Sequence, residues 1–369
     1  MKVLQFILYL LINGLFVAKY GSRMTSHPLL PVFLYVLFSF TLYILLSRSK
    51  EYRACYRMLY ILLSIFGVTA IAFLLVHIDP YSVKVDRWSA IHNFIQNLLA
   101  GQYPYAARTH LGGYGSPFPV WQIVHIPFYW MGDVGLAWIF VFVLLSVLLL
   151  WLSETTRQAF VYLVLLMASP AFWYEVAVRS DILYNLIVCF LCIGVVYRKQ
   201  YSVGKHDVGL GVMCGLLLST RLSVAAPLII FLMPGFLTAS PRSKMLFLLT
   251  TVLVFVVSFL PFLFWDHRML LFSRFNPFVL QTRQGNLSEW LLAIFVALFL
   301  STRWKDFRQY SGYVAVCLVL VVAVVFMHYM IILNFQRSLF SSSFDISYLN
   351  MALPFLIFAL TDGRIRKRL

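Results

Sequence analysis

Leu216-Leu217-Leu218-Ser219-Thr220-Arg221-Leu222-Ser223-Val224-Ala225-Ala226-Pro227 lies inside an apolar run that extends from Val208 to Leu237. How this run is read decides the number of membrane spans and the sidedness of everything after it. As one tilted helix it would hold Arg221 near the bilayer centre, at a cost of at least about 2.5–3.5 kcal/mol on insertion scales. As two short helices meeting at Thr220-Arg221, it returns the chain to the face it left. Downstream charge separates the two. The two-helix reading puts Arg242, Lys244, Arg303, Lys305, Arg308, Arg364, Arg366, Lys367 and Arg368 on the cytoplasmic face, and Arg268, Arg274, Arg283 and Arg337 on the other. The one-helix reading inverts that balance, against the rule that short cytoplasmic loops carry the excess of Lys and Arg. The run therefore reads as two half-length helices, a partly inserted hairpin of the kind tolerated where it lines a cavity.

The rest of the chain is membrane in composition. Of 369 residues, 62% are hydrophobic, 17% aromatic and only 11% charged, with a mean hydropathy of +0.87. Apolar runs long enough for about 30 Å of hydrocarbon recur throughout. The reading is an all-α polytopic protein with spans near 3–20, 28–47, 57–77, 134–152, 157–174, 181–197, 207–220, 222–238, 244–265, 288–302, 312–334 and 346–361, about eleven to twelve in all. Met1 to Tyr20 lacks a small-residue cleavage pattern and reads as a retained first span. The formal charge of +16 would suggest nucleic acid in a soluble protein. Here the basic residues sit in short loops (Arg48, Lys50, Arg53, Arg57; Arg157; Arg198, Lys199, Lys205), so membrane sidedness explains them and a nucleic-acid partner is not expected. Of the five cysteines, Cys189, Cys192, Cys214 and Cys317 lie in apolar runs and Cys55 in a basic loop. Cys189 and Cys192 are three apart on one helix face, but no His or acidic residue accompanies them, so packed thiols rather than a zinc site are expected.

Against that background one hydrophilic island stands out, His77 to Asp133, on the non-cytoplasmic face. Asp86 to Ala100 reads as an amphipathic helix lying along the membrane surface, with Trp88, Ile91, Phe94, Ile95, Leu98 and Leu99 at helical spacing and Gly101 ending it. Asp86 stands at its first turn, where a carboxylate either caps free N–H groups or is free for chemistry. Tyr103-Pro104-Tyr105 and Ser116-Pro117-Phe118-Pro119 form a rigid aromatic loop, and Trp121 to Trp130 reads as a second surface helix. The same face collects Glu175, Arg179, Asp181, Arg221, the 266–289 loop, Arg337 and Asp345.

The order of these elements resembles the GT-C superfamily of membrane glycosyltransferases. An acidic residue, Asp86, precedes a surface helix, then Leu98-Leu99-Ala100-Gly101-Gln102-Tyr103-Pro104-Tyr105, then a proline-aromatic loop. Ser169-Pro170 with Arg179-Ser180-Asp181 is similar to the family's second luminal acidic turn. Ser219-Thr220-Arg221 with Pro227 resembles its basic residue between two short helices. The match spans residues 77 to 235. It departs from the family in carrying the acidic residue after the third span, where many members carry it after the first, and in lacking an acidic pair in the island. The resemblance implies one membrane domain over 1–369, with two additional spans in 1–56, a core over 57–238 that includes the 77–133 loop, and C-terminal spans over 239–369.

It also implies a mannosyltransferase-like hexosyl transfer, inverting, from a polyprenyl-phosphate sugar to a hydroxyl on a glycan, lipid or protein acceptor. Such a reaction needs a base for the acceptor proton, and Asp86 is the candidate. It also needs cations for the phosphate, for which arginine's planar, always-charged fork is suited. Arg221 leads, followed by Arg179, Arg337 and Arg87. Asp181 either pairs with Arg179 or orients a sugar hydroxyl, and Glu175 poses the same choice. Trp88 and Tyr105 are candidate stacking platforms or interface anchors. No cofactor is expected. A divalent ion on Asp86 is a secondary option, and no two histidines show the i, i+4 spacing of a helical zinc site. Competing readings are a flippase or transporter of a lipid-linked head group, for which no internal repeat is found, and a lipid-linked glycan polymerase, whose long external loop would come late in the chain. Short loops suggest a bacterial inner membrane with the site facing the periplasm or exterior. A cysteine at Gln102, with Cys55 replaced by Ser, should react with an impermeant thiol reagent applied outside intact cells; reaction from the cytoplasmic side alone would overturn the topology.

Overall fold

Apolar sequence runs become helices because the bilayer leaves no water to satisfy free backbone groups. The computed structural model describes residues 2–25, 27, 29–48, 53–341 and 343–361, and among them there is no β-strand. Lys50, Arg364, Arg366, Lys367 and Arg368, counted above, lie outside the described residues. The chain opens with α1 (Lys2–Gly21), α2 (Leu29–Arg48) and α3 (Arg53–His77). The island carries α4 (Arg87–Leu99), α5 (Pro119–Ile123) and α6 (Ile126–Trp130). There follow α7 (Ala137–Leu152), α8 (Thr156–Met167), α9 (Pro170–Ala177), α10 (Ile182–Arg198), α11 (Asp207–Leu218), α12 (Ala225–Thr238) and α13 (Pro241–Phe272). The chain closes with α14 (Pro277–Thr282), α15 (Leu287–Ser301), α16 (Phe307–Leu333), α17 (Phe335–Phe340) and α18 (Leu353–Leu360).

Six of these segments are long and apolar enough to cross a membrane, or seven if the bent pair α8 and α9 is one span. Five further apolar helices have 10–17 residues. At about 1.5 Å rise per residue the shorter ones fall well short of 30 Å. Each span expected from sequence thus corresponds to a helix or bent pair, but not every one crosses by length alone. Phe33, Leu37 and Phe40 on α2, and Leu249 and Leu253 on α13, are exposed; on an integral membrane protein such side chains face lipid.

Breaks in the helices position the site. α8 and α9 bend by 66° at Ala168-Ser169. Ser169 caps α9 by accepting from Phe172 N, Pro170 occupies the first turn, and Asn13 Oδ1 of α1 accepts from Ser169 Oγ at 2.5 Å. That contact explains a fully buried asparagine in an apolar helix. A second break separates α11 from α12 at Ser219-Thr220-Arg221, as the charge balance predicts. The carbonyls that the break leaves without helical partners are taken up by the island: Phe118 N donates to Thr220 O at 3.0 Å and Val120 N to Ser219 O at 3.1 Å.

Two expectations for the island are corrected. α4 forms as predicted, but its apolar face does not rest on the membrane surface: Ile91, Phe94 and Ile95 are buried in protein, with the Phe94 ring against Tyr105 and Phe262. The helix expected over Trp121–Trp130 is two one-turn helices. Pro127 cannot donate within a continuous helix, and His125 turns inward onto Trp121 O and Tyr184.

α11 packs on α13 through Gly211 and Gly215. A Cβ at Gly215 would lie 2.7 Å from Thr251 O, and one at Gly211 would lie 2.9 Å from Phe247 O. These are backbone atoms that cannot swing aside, and small residues four apart are the usual means of such close approach in membranes. Gly215→Leu should cost about 1–3 kcal/mol, read as a lower melting midpoint of the purified protein; an unchanged midpoint would contradict the packing.

Candidate active site

At one end of the bundle a cavity of about 650 Å³ is walled by segments distant in sequence. The end of α1 gives Lys19 and the turn after it Arg23, the island gives Lys84, Asp86 and Arg87, the helix break gives Arg221, and the later loops give Arg283 and Asp345. Six basic residues against two acidic ones make the chamber electropositive. Low-dielectric walls focus such a field, which favours an anionic ligand.

Arg87, at the start of α4, is the knot that closes the cavity's floor. It donates to Ser180 Oγ at 2.6 Å, to Asp345 Oδ2 at 2.5 Å and to Ser347 Oγ at 2.7 Å, with Glu175 Oε1 at 3.7 Å. Burial works against its charge, but Asp345 and Glu175 outweigh that and raise the guanidinium above its ordinary range. Burial likewise pushes Asp345 up, and Arg87 with the Ser347 bonds more than offsets it, leaving the carboxyl below its usual value. A depressed carboxyl stabilises the fold above its unfolded pKa, and that contribution fades as pH falls through the lower folded value. The tie therefore holds at neutral pH. Glu175, fully buried, accepts from Asn350 Nδ2 at 2.9 Å.

Asp86 occupies the N-cap position of α4, yet its carboxylate makes no capping bond. The capping alternative does not hold. Instead Oδ2 accepts from Thr109 Oγ1 at 2.8 Å, and the Thr109 hydroxyl accepts from Gly113 N at 3.0 Å. A Cβ at Gly113 would sit 3.0 Å from the same carboxylate oxygen, so the glycine keeps that approach clear. Among the described residues no cation pairs with Asp86. A carboxylate on the wall of a basic cavity with only a hydroxyl for company is chemically available.

Asp181 pairs with Arg221, not with Arg179 as one sequence reading had it. Arg221 donates from Nε to Oδ2 at 2.8 Å and from Nη2 to Oδ1 at 2.7 Å, while Trp121 Nε1 also donates to Oδ2 at 2.7 Å. Both partners are buried. Arg221 also lines the cavity, so its guanidinium stands beside the space an anion would fill.

Arg179 is elsewhere. It sits in the left-handed region at φ 48, pairs with Asp133 at 3.0 Å, and donates to Leu75 O and Ile78 O at the end of α3. A cation at a helix C-terminus meets the negative end of its dipole; Arg179 is a structural tie. Arg337 is exposed and does not line the cavity. Trp88 is buried with its Nε1 donating to Asp133 at 2.6 Å, and Tyr105 is buried with its hydroxyl on Pro117 O. Neither ring reaches the cavity, so neither is a stacking platform there. Conversely, Lys19, Arg23, Lys84 and Arg283 line the wall without having been singled out from sequence. Arg283 was counted on this face by its charge alone. No group of three or more metal-ligating side chains occurs among the described residues.

A second chamber of about 370 Å³, mostly apolar, lies between α12, α15 and α16. Gln284, Phe344 and Tyr348 line both spaces, so the chambers adjoin. No family model, curated protein or solved structure matches this chain.

Removing one partner of a buried ion pair leaves the other uncompensated and typically costs about 3–5 kcal/mol. Asp181→Ala should therefore lower the melting midpoint sharply, and Asp181→Ala with Arg221→Met should recover part of the loss. Equal melting of Asp181→Ala and the parent chain would contradict the pairing.

Proposed function

We propose that this chain is an integral-membrane glycosyltransferase that moves a sugar from a polyprenyl-phosphate donor to an acceptor hydroxyl, in the manner of the GT-C enzymes its sequence resembles. The observation that carries the reading is Asp86: a carboxylate that pairs with no cation among the described residues, on the wall of a predominantly basic cavity. Transfer needs this combination of a proton acceptor beside an anion site. The adjoining apolar chamber suits substrates with lipid chains.

In the proposed reaction the acceptor oxygen forms a bond to the anomeric carbon as its proton passes to Asp86. The bond from that carbon to the phosphate oxygen breaks, and the lipid phosphate leaves with the electron pair. Thr109 holds the Asp86 carboxylate by one hydrogen bond, leaving its second oxygen for the acceptor proton. Arg221, Arg283, Lys84, Lys19 and Arg23 balance the charge that grows on the phosphate. Arg87 is committed to Asp345, Ser180 and Ser347, and its part is to hold the start of α4, and so Asp86, in place. One carboxylate acting in one displacement inverts the anomeric centre. The site would face away from the cytoplasm, in agreement with the sidedness of its loops.

Membranes holding Asp86→Asn should fold at the parent's melting temperature and lose transfer from lipid-linked sugars by about 10²-fold or more. Full activity in that variant would remove Asp86 as the base. Arg283→Ala should instead weaken donor binding while leaving the fold intact, seen as a raised KM for the lipid-linked sugar.

A further inference from the structure

The basic cavity holds more positive charge than a donor phosphate neutralises. Arg87 is paired with Asp345 and Arg221 with Asp181, so two of its six cations are already balanced. Lys19, Arg23, Lys84 and Arg283 pair with no carboxylate among the described residues. Lys19 donates to the carbonyls of Ser341 and Phe344, which carry no net charge. Set against Asp86, these four cations leave a surplus of three positive charges. A sugar phosphodiester carries one negative charge, and the phosphate that departs carries about two at most. Most of the surplus lies at the mouth: Arg23, Lys84 and Arg283 are exposed, whereas Lys19 and Arg221 are buried. Arg274 joins this rim, its guanidinium 5.5 Å from the ring of Tyr114, which also lines the cavity. In the orientation proposed above, these residues stand outside the cytoplasm, where loops are normally poor in Lys and Arg. Membrane insertion therefore does not account for them.

We propose that the acceptor is itself an anion, a hydroxyl compound whose own carboxylate or phosphate docks on Lys84 and Arg23 while its hydroxyl meets Asp86. Lys84 is two residues from Asp86, at most about 7 Å of extended chain, and both line the cavity. The acidic group and the reacting hydroxyl therefore belong to the same end of the acceptor. Arg283 adjoins Gln284, which lines both chambers, and is left to the donor's phosphate. The acidic group forms no bond in the reaction. The hydroxyl oxygen bonds to the anomeric carbon, its proton goes to Asp86, and the lipid phosphate leaves with the electron pair. The acceptor's charge steers its approach and fixes its register. This assignment rests on the transfer reading above, but charge-selective binding does not require turnover.

The test uses the full chain in phosphatidylcholine nanodiscs with methyl glucuronide and methyl glucoside, whose rings differ by one carboxylate, followed by saturation-transfer NMR. At low ionic strength the glucuronide should bind roughly tenfold tighter, and the preference should shrink as salt screens the rim. It should persist when undecaprenyl phosphate saturates the donor site. Lys84→Gln with Arg23→Gln, both at exposed positions, should bring the two probes level at an unchanged melting midpoint. Equal binding of the probes to the parent chain would overturn the proposal. So would loss of the preference on adding undecaprenyl phosphate, because the carboxylate would then be filling only the donor's phosphate site. A second arm supplies a radiolabelled polyprenyl-phosphate sugar to membranes that hold the chain. Labelled product retained on an anion exchanger supports the proposal, as a lipid headgroup if it extracts into organic solvent and as a glycan if it stays in water; a neutral product contradicts it. The two failures are distinguishable. Charge-selective binding with no transfer to any acceptor keeps the anion site and sinks the transferase reading, whereas transfer that uses neutral and acidic acceptors equally does the reverse.

Discussion

The bidentate pair between Arg221 and Asp181 is the constraint on which the rest of this end of the molecule depends. An arginine between two apolar half-helices is tolerable only beside a counter-charge. Asp181 supplies it from the start of α10, and Trp121 of the island shares the same carboxylate. One buried carboxylate thereby joins three regions of the chain. The broken backbone needs partners as well. It finds them in Phe118 N and Val120 N, and in the Gln281 side chain, whose Oε1 accepts from Leu222 N at 2.7 Å while its Nε2 donates to Ser116 O at 2.9 Å. The cavity exists because these demands draw the loops together rather than letting them splay.

Arg87 repeats the principle one layer away. It links the island to Ser180 and to the 345–347 turn that leads into α18, while Lys19 of α1 donates to Ser341 O at 3.0 Å and so fixes the same late loop from the other side. The first helix is consequently part of the cavity wall. Asp86, adjacent to Arg87 in the chain, inherits a fixed position from this knot, while its own carboxylate pairs with no cation among the described residues.

Much of the helical layout was legible in sequence because hydropathy and basic-residue placement report it directly; the break at Thr220-Arg221 followed from charge alone. Asp86 was legible as a carboxylate at the head of an amphipathic helix. What sequence could not resolve was pairing. Arg179 and Asp181 are neighbours in the chain and invited each other, but the turn at Arg179 points its side chain toward Asp133 and the end of α3, with Gly135 leaving the space: a Cβ there would lie 2.7 Å from Arg179 Cδ. Trp88 and Tyr105 looked like interface aromatics because spacing along an island says nothing about the protein surface that covers it. Lys19 and Arg23 were hidden because a basic residue ending a first span is an ordinary feature of membrane helices.

The central claim is that one carboxylate, Asp86, acts in one displacement at a basic cavity. The stereochemistry of the product tests it most directly. Purified protein given a polyprenyl-phosphate sugar of defined anomeric configuration, with the product's anomeric proton read by NMR, should yield the opposite configuration. A product that retains the donor's configuration would require a covalent or double-displacement route and would contradict the account.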